Sequence, residues 1–147
     1  MKTSLKLKNV VTVKLIDKES GKVLREYKRE NDVLDVGAVC LLTFIRGGTA
    51  NGNWNTVNLF TSAGAYIKSI TGSFGSIGDG AGYKYVVLTA TDSSTDEYTF
   101  RILGLYHTTS NSRYTQNLYN VQESDITKGS TQILQVTWEI RIAYTTA

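Results

Sequence analysis

The sequence predicts a mainly β fold. It reads as one antiparallel β-sandwich or barrel-like domain over 1–147, with one short helix at about 36–46 and long Gly/Ser/Asn-rich loops. Three observations predict it. Near the end, "LQVTWEIRIAY" alternates without a fault. Leu134, Val136, Trp138, Ile140, Ile142 and Tyr144 fall on one side; Gln135, Thr137, Glu139, Arg141 and Ala143 fall on the other. Strict period two marks a strand with one dry face and one wet face. The composition leans the same way, with nine Tyr, no Pro and abundant Gly, Ser, Thr and Asn, residues that favour strands and turns. Finally, the 147 residues contain no internal repeat, heptad or linker, so they suit a single domain large enough for a real core.

The elements follow in chain order. "NVVTVKLI" (9–16) and "KVLREYKR" (22–29) are strand-like runs around "DKESGK", where Gly21 can supply the positive φ of a hairpin turn. Val11, Val13 and Leu15 share one face, and Val23 and Tyr27 are expected to share another. In "ENDVLDVGAVCLLTFIRGG" (30–48) the period changes. Asn31, Asp32 and Asp35 are candidate N-caps, Val36, Val39, Cys40, Leu41, Leu42, Phe44 and Ile45 crowd nearly every position, and Gly47 and Gly48 follow Arg46. That pattern predicts a short, mostly buried helix, with a buried strand as the alternative. Residues 47–82 are rich in Gly, Ser, Thr and Asn and read as long excursions, with "TVNLFTS" as a short strand and "AYIKSI" ambiguous. "YKYVVLTAT" (83–91) and "YTFRILGLYHTT" (98–109) make a second hairpin around "DSSTDE". "LYNVQE" is a short strand, and "SDITKGS" leads into the terminal one.

The net charge of +3 is uneven: residues 1–30 hold nine Lys and Arg against four acids. Lysines on an exposed ribbon discourage edge-to-edge aggregation, which accounts for the excess without an anionic partner. The opening stretch reads as a strand rather than a signal peptide, and no apolar run approaches the roughly 20 residues of a membrane span.

Residues suited to chemistry are few. Cys40 and His107 are each the only residue of their kind, which rules out an intrachain disulfide and the ordinary zinc sets. Cys40 sits in the most apolar stretch, where a thiol is usually inert. "GSFGSIGDGAGYK" is Gly-rich, but a strand follows it, whereas a phosphate loop feeds a helix. "DSSTDE" lacks the alternating acids of a calcium loop and reads as a turn with solvated acids. "YKR" (27–29) and "YKY" (83–85) give fragments of a single-strand-binding pattern, without an RNP motif. The sequence therefore predicts no enzyme, no cofactor, no metal and no nucleic-acid partner.

Taken in order, "DKESGKVLREYKREN", "NDVLDVGAVCLLTFIRGG", "EYTFRILGLYHTTS" and "ITKGSTQILQVTWEIRIAY" resemble small structural proteins of tailed bacteriophages, the group that includes tail and tail-fibre components and head decoration proteins. The resemblance covers most of the chain except 47–82. It implies a non-enzymatic virion protein, made in the host cytoplasm, that assembles as a homo-oligomer such as a trimer and meets other virion proteins. Trp54, Phe60, Tyr66 and Phe74 are the candidate interface residues, because four aromatics in a connector are more than a connector needs. The alternative is a soluble module that holds carbohydrate through the loop aromatics, with Trp54 in "NGNWN" as the platform.

Overall fold

The structure, a computed structural model, describes residues 3–32, 55–105 and 118–146. The helix predicted at about 36–46 lies outside these residues, as do Cys40, Trp54 and His107. Among the described residues the chain is all β, with nine strands: β1 (Thr3–Asp17), β2 (Val23–Asp32), β3 (Thr56–Phe60), β4 (Tyr66–Phe74), β5 (Gly78–Gly80), β6 (Tyr83–Asp92), β7 (Tyr98–Leu105), β8 (Leu118–Lys128) and β9 (Gln132–Thr146). The short strand expected at "TVNLFTS" is present as β3, and the rest of the predicted excursion at 47–82 is corrected where β4 and β5 occupy it. The short strand predicted at "LYNVQE" likewise continues to Lys128.

All pairings are antiparallel, in the order β2-β1-β9-β6-β4-β3-β7-β8, with β5 beside β6. The sheet is nearly closed into a barrel. The interior strand β9, third in this order, pairs with β1 along its whole length and with β6 over Leu134–Ala143. The alternation read in the sequence is the reason: Leu134, Val136 and Trp138 are buried, while Gln135, Thr137, Glu139 and Arg141 are only partly covered. Trp138 lies between Val11 of β1 and Leu88 of β6. Facing them across the barrel are Val57, Leu59, Ile70, Phe100, Leu103, Leu105 and Ile126. Burying a ring of this size contributes several kcal/mol, roughly 3–5 by the cost of its removal.

The β1–β2 hairpin turns as predicted at Gly21, where φ is 71°. Asp17 holds the turn by accepting bonds from the Ser20 N–H (3.0 Å) and hydroxyl (2.6 Å). One expectation fails here. The register slips between Leu15 and Ile16 because Leu24 is an extra residue in β2. A bulge moves every later side chain to the other face, so Val23 does not share a face with Tyr27. Val23 and Leu24 are exposed, and Tyr27 packs against the core.

β4 is the strand that bends the sheet. It pairs with β3 over Tyr66–Thr71 and then with β6 over Gly72–Phe74. Gly72 sits at the switch. A Cβ there would overlap the Thr89 carbonyl, and the Gly72 N–H donates to the Asn55 carbonyl (2.7 Å). Only glycine allows this approach. At the far side β2 and β8 meet through side chains. Asn120 Nδ2 donates to the Arg29 carbonyl (3.3 Å), and Arg29 pairs with Glu123 (2.9 Å).

Candidate functional site

The strongest concentration of charge lies at one end of the barrel, where the β4–β6 ladder has stopped and the two strands diverge. Lys68 of β4, Asp92 of β6, Tyr98 of β7 and Lys128 of β8 converge beneath the turn that carries Ser94 and Asp96. The register puts them there. Asp92 is in phase with Leu88 and Ala90, and Lys128 with Ile126, so both side chains are carried inward with the core residues. The reading of "DSSTDE" as solvated acids is thus corrected for Asp92, which is 6% exposed; Asp96 and Glu97 remain exposed.

Every group in the cluster has a partner. Burial alone would raise the pKa of Asp92. The Tyr98 hydroxyl (2.6 Å), the Ser94 N–H (3.0 Å) and Lys68 (3.0 Å) outweigh burial and hold the carboxyl far below its ordinary value. Tyr98 is pushed up, first by burial and then by the same carboxylate. Burial opposes the Lys68 charge, but Asp96 (2.7 Å) and Asp92 leave its pKa raised. Lys128 is fully buried. Its ammonium donates to the carbonyls of Ser94 (2.7 Å), Asp96 (2.9 Å) and Gly129 (3.2 Å), while burial lowers its pKa. The Tyr98 ring lies 5.8 Å from each ammonium, within cation–π range. Three protons on three carbonyls leave Lys128 no free donor. The cluster can rivet the β6–β7 turn to β4 and β8; its geometry offers no unengaged acid, base or nucleophile.

A second polar group lies inside the barrel near the β2–β8 seam. Gln122 Nε2 donates to Asn120 Oδ1 (2.8 Å), and Asn120 Nδ2 reaches Asn9 Oδ1 (3.4 Å); all three side chains are buried. On the outer face, the "YKY" stretch has a structural use. The rings of Tyr83 and Tyr85 lie over Gly80 and Gly78 of β5, where a Cβ would collide with them. Arg141 stacks on Tyr83 at 4.6 Å and pairs with Glu139 (2.7 Å), and Lys84 pairs with Asp79. Aromatic rings shielding glycines across a strand pair stabilise a short edge strand. Among the described residues, no three His, Cys, Asp or Glu side chains converge as a metal would need.

The candidate interface residues separate. Phe60 is fully buried, Tyr66 and Phe74 are exposed at 41% and 39%, and Trp54 lies outside the described residues. Tyr66 meets Phe60 edge-on at 6.2 Å and binds the Ser69 hydroxyl (2.8 Å), which in turn donates to Asn58 Oδ1 (2.6 Å). Phe74 is at the other end of β4, close in sequence to Ile77, which is 78% exposed. Sequence reasoning missed Lys68, Asp92, Tyr98 and Lys128. The available signal was phase: a charged residue at the inward position of a strand needs a partner. Comparison with protein families, curated proteins and solved structures finds no match to this chain.

Proposed function

We propose that the protein is a non-enzymatic virion component of a tailed virus, assembling as a homo-oligomer on the capsid or in the tail. The resemblance of its segments to small phage structural proteins supports this reading. The observation that carries it is the exposure of Tyr66, Phe74 and Ile77. Large apolar side chains held on or beside strands, with little freedom left to lose, are what an assembly contact uses.

Light scattering of the purified chain across a concentration series tests the proposal. The expected result is a defined oligomer that Phe74→Ser loosens at least about tenfold, about 1.4 kcal/mol, with its melting temperature unchanged. A monomer at every concentration, also absent from particles assembled with neighbouring virion proteins, overturns it. A monomer that binds glycans and loses them on Tyr66→Ala favours the carbohydrate module, for which the Tyr66–Ser69–Asn58 chain would supply a ring and polar partners.

A further inference from the structure

The core-facing side of the sheet continues past the point where the core ends. On β9 the phase that buries Leu134, Val136 and Trp138 runs on to Ile140, which is partly covered, and to Ile142, which is 38% exposed. The neighbouring strands follow it outward. Phe74 of β4 is opposite Leu88 of β6, and directly paired residues share a face. Yet Leu88 is buried and Phe74 is 39% exposed. Val86 is opposite Ile140, and Leu7 of β1 is opposite Ile142; both are partly covered. Ile77, 78% exposed, directly precedes Gly78, which pairs with Tyr85, so it lies beside Val86. At the end of the barrel away from Asp92, these strands therefore carry an apolar strip in the inward phase that the barrel interior leaves open.

We infer that this strip is a two-fold interface covered by a second copy of the chain, which lays its Phe74 and Ile77 over Ile142 and Leu7 of the first and receives the same in return. The inference rests on the homo-oligomer reading and names the surface that serves it. The apolar side chains stand in rows at strand spacing, a relief that another sheet face fills. Exposure falls from Ile77 through Ile142 to Leu7. One end of the strip thus protrudes and the other recedes, and a two-fold axis brings each against its opposite in the partner. Charge agrees. Among the described residues of this strip the charges are Lys84 and Asp79, which face each other and form an ion pair. Two copies meet there without repulsion, whereas nucleic acid or an anionic membrane finds no excess of cations. Tyr66, at the other end of β4, lies outside the strip.

The test is sedimentation velocity of the full chain, of Ile142→Lys, of Ile77→Asp, and of the two variants mixed in equal amounts. Both positions are exposed in the subunit, so the melting temperature should stay close to the parent's. Each variant alone should dissociate at least about tenfold more readily, because it sets a charge against an apolar side chain at both symmetry-related contacts. In a mixed dimer one contact joins the introduced lysine to the introduced aspartate, and the other is the parent's contact of Ile77 with Ile142. Association of the mixture should therefore return to within about threefold of the parent. Single variants that assemble as tightly as the parent overturn the inference while the homo-oligomer reading stands. Weakened variants that the mixture does not restore also overturn it, since positions 77 and 142 then do not meet across copies. A parent that is monomeric at every concentration overturns the inference, and the broader reading falls with it only if the chain is also absent from assembled particles. If Ile142→Lys lowers the melting temperature, Ile142→Thr, which suits a strand, takes its place as the single variant, and assembly as tight as the parent's again defeats the inference.

Discussion

At the level of single residues, position within a strand decides cost. Trp138 is fully buried and Thr137 faces the other way. Trp138→Ala should destabilise the protein by roughly 3–5 kcal/mol and Thr137→Ala by less than about 1 kcal/mol. Urea unfolding measures both, and equal midpoints would contradict the face assignment. This contrast was legible in the sequence, because alternation in β9 is unbroken. The Asp92 cluster was not, since its partners come from four separate strands. Asp92 also sets a pH dependence. Its folded pKa lies below the unfolded value of about 3.9, so its contribution is fully present above roughly pH 5 and is lost as the pH falls. The stability gap between the parent and Asp92→Asn should therefore be largest near neutrality and shrink progressively in acid. A gap that stays constant down to about pH 2 would contradict the carboxylate's role.

At the level of elements, β1, β6, β7 and β9 were legible from dense period-two patterns, and β2 and β3 from shorter strand-like runs. β4 was ambiguous because Gly72 and Ser73 interrupt it and only Ile70 is fully in the core. It pairs on one side with β3 along its first part and on the other with β6 along its last three residues, and no single periodicity describes such a strand. β5 carries two glycines in three residues and is held by the tyrosines of its neighbour, which a local reading cannot see. The Gly72 switch predicts a sharp contrast. Gly72→Ala forces a methyl group against the Thr89 carbonyl, a backbone atom that cannot swing away, and should cost about 2–3 kcal/mol. Gly75→Ala, where the nearest atom is 3.9 Å away, should change stability by less than about 1 kcal/mol. Thermal melts of the pair check this, and similar losses would show that the switch tolerates a side chain.

At the level of the whole molecule, closure depends on the β2–β8 seam, where side chains replace a ladder. Asn120 bridges Asn9, Gln122 and the Arg29 carbonyl. Asn120→Ala leaves these groups buried and unmatched, so it should cost about 2 kcal/mol and speed hydrogen exchange in β2 well before β9. Uniform acceleration across the sheet would mean that the seam is not a separate weak point. The barrel class was predictable from composition and alternation. The strand order was not, because it depends on pairings between distant segments. The order has a consequence in time. β9 fits between β1 and β6, yet it is the last of the nine to be synthesised. While residues 93–131 are being added, ~2–8 s at ~5–20 residues per second, the finished strands β1 and β6 wait with a vacant slot between them. Each has an unsatisfied edge during that interval, so the nascent chain is most open to capture by a neighbour just before β9 is made.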